Sequence, residues 1–187
     1  MVVRRLMNRW CGQGGIPTRS LGPRTPWRMA LPLCVAMLLS GCGEETPLLA
    51  KGEPTPPFVL ATLSGHTMAL PADVHGQVVA VRFWADWCPF CKGEMRALEP
   101  LYRAYRDRGL RLLAINVRQD HKTAAAFVAP LGITYEVLLD EGGEVARAYG
   151  VSGLPTTFLL DRQGRLVARI LGESTPEVFE QLVKGLL

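Results

Sequence analysis

The chain is poor in cysteine. It has five in 187 residues, and beyond residue 41 only Cys42, Cys88 and Cys91. A scaffold stapled by several disulfides is therefore excluded. The domain must be held by its hydrophobic core, and the roughly 135 residues after the leader suffice for one. That part also lacks the second Cys or His pair that a structural zinc site needs. Lys92, not histidine, follows Cys91, which excludes covalent haem attachment. The apolar stretch Met29–Leu39 has only eleven residues and is interrupted by Pro32, so it is too short to span a bilayer as a helix. Acidic residues are absent from the first 41 positions, where Arg4, Arg5, Arg9, Arg19, Arg24 and Arg28 lie. Subtracting these six arginines from 21 basic residues leaves 15 against 17 acidic ones, about −2, so the formal +4 of the whole chain belongs to its leader. A nucleic-acid footprint is not supported.

What the leader does contain is a basic region, a short apolar core and then small residues, the pattern of an export signal. Leu39-Ser40-Gly41-Cys42 resembles the bacterial lipobox, which implies cleavage before Cys42 and lipid modification of that thiol; the alternative is an ordinary signal with Cys42 a spare thiol. The leader is long, and translation from Met7 is an alternative to Met1. Residues 42–57 end in Pro54, Pro56 and Pro57, a composition that favours an extended tether without packed structure. The expected organisation is a lipoprotein signal peptide over 1–41, a lipid-anchored tether over 42–57 and a single domain over 58–187, facing the periplasm of a bacterial envelope.

The chemistry centres on Trp87-Cys88-Pro89-Phe90-Cys91. Two thiols two residues apart, after the apolar run Val78–Ala85 and at the opening of a helix, form a site for reversible thiol–disulfide exchange. The first thiol would lie on the unpaired N–H groups at the positive end of the helix dipole, which favours thiolate. The second, one turn on, would be close enough to attack a mixed disulfide formed by the first.

Hydrophobic periodicity and turn residues give the rest. Phe58–Leu63 and Thr67–Leu70 flank Ser64-Gly65 as a hairpin, Val78–Ala85 and Leu110–Val117 read as buried strands, and Cys88 to about Arg108 as a helix burying Leu98, Leu101 and Tyr105. Lys122–Leu131 reads as a helix, Tyr135–Leu139 as a short strand and Glu144–Tyr149 as a short helix. Thr156–Leu160 and Leu166–Leu171 read as a hairpin across Asp161–Gly164, and Thr175–Leu187 as a terminal helix capped by Thr175. Strands alternating with helices imply an α/β fold, a central mixed β-sheet flanked by helices.

Phe83-Trp84-Ala85-Asp86-Trp87-Cys88-Pro89-Phe90-Cys91, Glu94-Met95 and Gly150–Phe158 resemble the thioredoxin superfamily, and more narrowly its TlpA/ResA-type thiol–disulfide oxidoreductases. The resemblance covers roughly Pro57–Leu187. It implies a thioredoxin-like fold with an N-terminal β-hairpin and a central helix-strand insertion between Lys122 and Leu139. It implies that Cys88 is the exposed nucleophile and Cys91 the resolving thiol, and that Pro155 is a cis-proline facing them, with Leu154 free to pair with a substrate strand. Trp87 would shield the site, Glu94 would assist proton movement, and substrate would be bound by Trp87, Pro89, Phe90, Leu154 and Pro155. Arg82 departs from the family, which has Asp or Asn there. A fully buried arginine is costly, so it should either reach solvent or find an acid partner, and a cation near the cysteines would favour thiolate. Arg96 replaces a common proline, which should move any bend of the helix towards Pro100.

The implied activity is disulfide exchange with protein substrates, with no cofactor or metal beyond the Cys88–Cys91 pair. The direction is taken as reducing. Apocytochrome c or copper-assembly factors would be substrates, a membrane thiol donor the electron source, and a monomer the expected state. Disulfide donation uses the same residues and stays open. A thiol peroxidase would want Pro and Thr/Ser where Val81 and Ala85 stand. A copper carrier would want Cys-x-x-x-Cys and a histidine, whereas His66, His75 and His121 read as surface residues.

Overall fold

The computed structural model describes residues 49–187. The leader, Cys42 and the first part of the expected tether lie outside the described residues.

Seven strands form one mixed sheet in the order β2-β1-β5-β4-β3-β6-β7: β1 Phe58–Thr62, β2 Thr67–Leu70, β3 Val78–Trp84, β4 Leu110–Val117, β5 Glu136–Asp140, β6 Thr156–Leu160 and β7 Leu166–Leu171. The three central strands β3, β4 and β5 run parallel, while β1 and β6 flank them antiparallel. Among the described residues four α-helices accompany the sheet: α1 Cys91–Tyr105, α2 His121–Val128, α3 Glu144–Ala148 and α4 Pro176–Lys184. Both expected hairpins form. Asp161 closes the second one, its Oδ1 accepting the N–H groups of Gln163 and Arg165 at 2.9 Å each. Thr175 caps α4 by accepting the Val178 N–H, with Pro176 at the first turn.

The period of two along β3 divides the core. Val78, Ala80 and Trp84 join one apolar cluster with Leu98 and Tyr102 of α1 and Phe179 and Val183 of α4. Val79, Val81 and Phe83 join the other, where Phe83, Tyr149 and Phe158 pack with ring centroids 5.2–5.8 Å apart. Arg82 has the parity of Ala80 and Trp84, so its side chain is sent into the interior against α1. This placement decides the electrostatics of the site.

Two expectations are corrected. The helix starts at Cys91, not Cys88. Cys88 precedes Pro89, and the proline ring disfavours helical geometry at the residue before it. The Cys91 N–H bonds the Cys88 carbonyl at 3.3 Å, and the first i to i−4 bond runs from Glu94 N–H to the Phe90 carbonyl. Pro100 lies within α1, which is continuous to Tyr105. The proline-rich segment before β1 is docked, not free. Gly52 N–H bonds the Leu166 carbonyl at 2.7 Å, Leu166 N–H bonds the Glu53 carbonyl at 2.9 Å, and Pro54 bridges to Arg165. The buried Tyr149 hydroxyl donates to the Pro56 carbonyl at 3.0 Å, and burial pushes that phenol up to about 12. Prolines limit the chain's freedom, but the backbone groups between them find partners at the open edge of the second hairpin.

Candidate active site

The loop after β3 carries the cysteines to the carboxyl end of the parallel strands. Its turn is pinned from two sides. Cys88 N–H bonds the Ala85 carbonyl at 3.2 Å, and Asp86 N–H bonds Gln119 Oε1 at 3.0 Å. Gln119 also accepts from Asn116 Nδ2 at the end of β4. Cys88 and Cys91 are joined in a disulfide with their Cα atoms 5.4 Å apart.

The nucleophile expected to be exposed is not. Cys88 is only 3% exposed, because in the disulfide its side chain joins Cys91, Trp84 and Met95 in the apolar cluster under α1. Its neighbours are what face solvent: Trp87 is 69% exposed and Phe90 51%. Trp87 and Phe90 thus present an exposed apolar surface in sequence next to the disulfide. With Leu154 and Val151, Trp87 lines a groove of about 470 Å³ beside the cysteines.

The Leu154–Pro155 bond is cis, as the resemblance implies, and so is Leu70–Pro71, which no motif marks. The register sets Thr156 opposite Phe83, so the cis-proline enters the sheet next to the strand end that leads to Cys88. Pro155 is buried, and its carbonyl accepts the Gly172 N–H at 2.8 Å. Among the described residues no backbone hydrogen bond uses the Leu154 N–H or carbonyl.

Below the disulfide lies a buried ion pair. Arg82 Nη1 donates to Glu94 Oε1 at 3.0 Å and to Thr157 Oγ1 at 3.0 Å, while Nη2 touches Glu94 Oε2. Glu94 Oε1 also accepts from the N–H and the hydroxyl of Ser174, at 3.2 and 2.9 Å. Arg82 Nε has no hydrogen-bond partner, an expensive vacancy for a buried guanidinium. Of the two fates open to Arg82, the acid partner is the one realised. The network ties α1 to β3, β6 and the loop before α4. Thr157 lies in the Gly150–Phe158 motif without a role assigned to it, and Ser174 carries no motif signal; only the alternation that turns Arg82 inward could have pointed to them.

His66, His75 and His121 are all exposed, as expected of surface residues. Among the described residues no cluster of three or more His, Cys, Asp or Glu side chains could hold a metal ion, and no helix is long and apolar enough to cross a membrane.

A Cys-x-x-Cys disulfide at the head of a helix, a cis-proline entering the adjacent strand and a sheet of this order define the class: a thiol–disulfide exchange protein on a thioredoxin-like scaffold. Residues 51–169 match the AhpC/TSA family. The chain is 35% identical over 155 residues to the thiol–disulfide oxidoreductase ResA of Bacillus thuringiensis subsp. konkukian, covering 81% of this chain and 89% of that one. It is likewise 35% identical over 142 residues to ResA of Geobacillus kaustophilus, covering 76% and 81%. Among solved structures it resembles a putative thiol:disulfide interchange protein DsbE from Chlorobium tepidum, with TM-score 0.70, 31% identity and coverage of 74% and 98%. It also resembles StoA from Bacillus subtilis, with TM-score 0.60, 27% identity and coverage of 70% and 97%. The chain belongs to the AhpC/TSA family and is a thiol–disulfide oxidoreductase of the ResA type.

Proposed function

We propose that the protein is a reductant of protein disulfides, held by a lipid on Cys42 to the membrane of a bacterial envelope and facing the periplasm. The exchange chemistry in this reading is supported by the Cys88–Cys91 disulfide, the exposed aromatic pair around it and a cis-proline with unused backbone groups at Leu154, and the lipid anchor by the lipobox-like Leu39-Ser40-Gly41-Cys42.

In the reducing cycle the Cys88 thiolate attacks one sulfur of a substrate disulfide. The substrate's S–S bond breaks, its second sulfur leaves as thiolate and takes a proton, and a Cys88–substrate disulfide forms. The Cys91 thiolate then attacks Cys88 Sγ and releases the second substrate thiol. Two electrons have passed to the substrate, and the Cys88–Cys91 disulfide remains. A membrane thiol donor returns the two electrons. Trp87, Pro89 and Phe90 supply an apolar contact surface. The free N–H and carbonyl of Leu154, next to Pro155, pair with an extended substrate segment.

Glu94 lies three residues beyond Cys91 on the same helix, but its carboxylate is already held by Arg82 and Ser174. We therefore assign it a positioning role at the head of α1 in place of the proton transfer expected from the resemblance. The direction of exchange rests on the likeness to ResA-type proteins, as does the choice of disulfide-bonded apocytochrome c or a copper-assembly factor as substrate. The test is the reduction potential of the pair, read by equilibrating the protein with glutathione buffers. A value near or below about −250 mV is expected for a reductant, and one near −120 mV would make the protein a disulfide donor.

A further inference from the structure

The groove beside Trp87 contains a feature that disulfide exchange as such does not need. Arg118, directly after β4, has φ +58°, the single positive φ of a non-glycine residue among those described. An L side chain adopts that conformation against its steric preference, and such strain collects where a side chain must be aimed. Here the backbone is held by the Arg118 N–H on the Asp140 carbonyl at 2.9 Å. The side chain is accommodated by a second special position. A Cβ on Gly143 would stand 2.6 Å from Arg118 Nε and 2.9 Å from its Cγ, so only glycine lets the arginine stem lie there, and Gly143 itself has φ +74°. Two unusual backbone positions thus converge to lay one guanidinium along a groove that Trp87 and Leu154 also line.

The charge of that guanidinium is unspent. The neighbouring Arg147 is engaged by Glu144 Oε1 and by the Gly142 carbonyl, both at 3.0 Å. Arg118 is exposed and forms no salt bridge among the described residues. General basicity does not explain it, since the chain beyond residue 41 carries an excess of acidic side chains.

We propose that Arg118 reads the substrate: the groove lined by Trp87, Leu154 and Arg118, next in sequence to Cys88, selects protein disulfides flanked by an acidic side chain. A substrate chain joined to Cys88 passes over the exposed indole, and its carboxylate meets the guanidinium in the groove. The proposal rests on the reductase reading above and adds the class of substrate.

The test uses two short disulfide-looped peptides, identical except for Asp or Asn flanking their cysteines, reduced by the full-length protein at low and high salt. The wild type should favour the Asp peptide by about three-fold in kcat/KM, as expected for one exposed charge pair, and lose that preference at about 0.5 M salt. Arg118→Asn, which removes the charge while tolerating a left-handed backbone, should abolish the preference, and Arg118→Lys should retain part of it. Equal reduction of both peptides by the wild type, or a preference that survives in Arg118→Asn, would overturn the proposal and leave the reductase reading standing. Reduction of neither peptide would overturn the reductase reading and the proposal with it.

Discussion

Removing the guanidinium of Arg82 should destabilise the fold far more than its single position suggests. The side chains of Arg82 and Glu94 are 1% and 2% exposed, so neither charge is solvated. In Arg82→Met the carboxylate of Glu94 keeps only the two donors of Ser174, at 3.2 and 2.9 Å, and Thr157 loses its donor. Breaking a buried pair in this way costs about 3–5 kcal/mol, a large part of the 5–15 kcal/mol typical of a domain. Glu94→Leu alone should cost a similar amount, because the guanidinium is then buried against Thr157 alone. The double variant Arg82→Met/Glu94→Leu removes both charges and should recover most of the loss, short of about 1 kcal/mol for the abandoned donors of Ser174. Urea unfolding of the oxidised protein, followed by circular dichroism, gives the three differences and the coupling between the two sites. A loss below about 1 kcal/mol for Arg82→Met, or a double variant as unstable as the sum of the singles, would refute the buried pair.

Two further outcomes follow from the same geometry. Trp87→Ala should leave stability within about 0.5 kcal/mol, since the indole is mostly exposed, yet lower kcat/KM for a protein disulfide about ten-fold; an unchanged rate would remove Trp87 from the binding surface. Burial works against ionisation of Glu99, but its bonds from Thr134 and Arg103 outweigh that and hold its carboxyl below the usual 4.5. With the folded value below the unfolded one, Glu99 stabilises the protein above pH 4.5, and that contribution is lost as pH falls through the folded value. Wild type should therefore lose more stability between about pH 5 and pH 3 than Glu99→Gln, and parallel urea midpoints would contradict this.

The sequence made the scaffold legible where periodicity and turn chemistry agreed. β4, β6 and β7 have the bounds their apolar runs predict, and Thr175 caps its helix as its side chain demands. The start of α1 at Cys91 is not legible in the Cys-x-x-Cys pattern, which says nothing of how Pro89 constrains Cys88. Docking of the proline-rich segment was missed because its partner, the strand around Leu166, lies more than a hundred residues away. The cysteines and the cis-proline were visible as motifs. The ion pair was half visible: Arg82 called for either solvent or an acid, and only the facing of β3 and α1 decides for Glu94. Arg118 carried no local signal at all, since a left-handed arginine is set by the carbonyl of Asp140 and the space over Gly143.

The central claim is that Cys88 attacks and Cys91 resolves. It is tested most directly by reacting the reduced Cys91→Ser variant with a disulfide-bonded protein and mapping the product by mass spectrometry. The account predicts a stable adduct linked through Cys88, with none in Cys88→Ser. An adduct through Cys91 in Cys88→Ser that forms as fast, or no adduct in either variant, would contradict it.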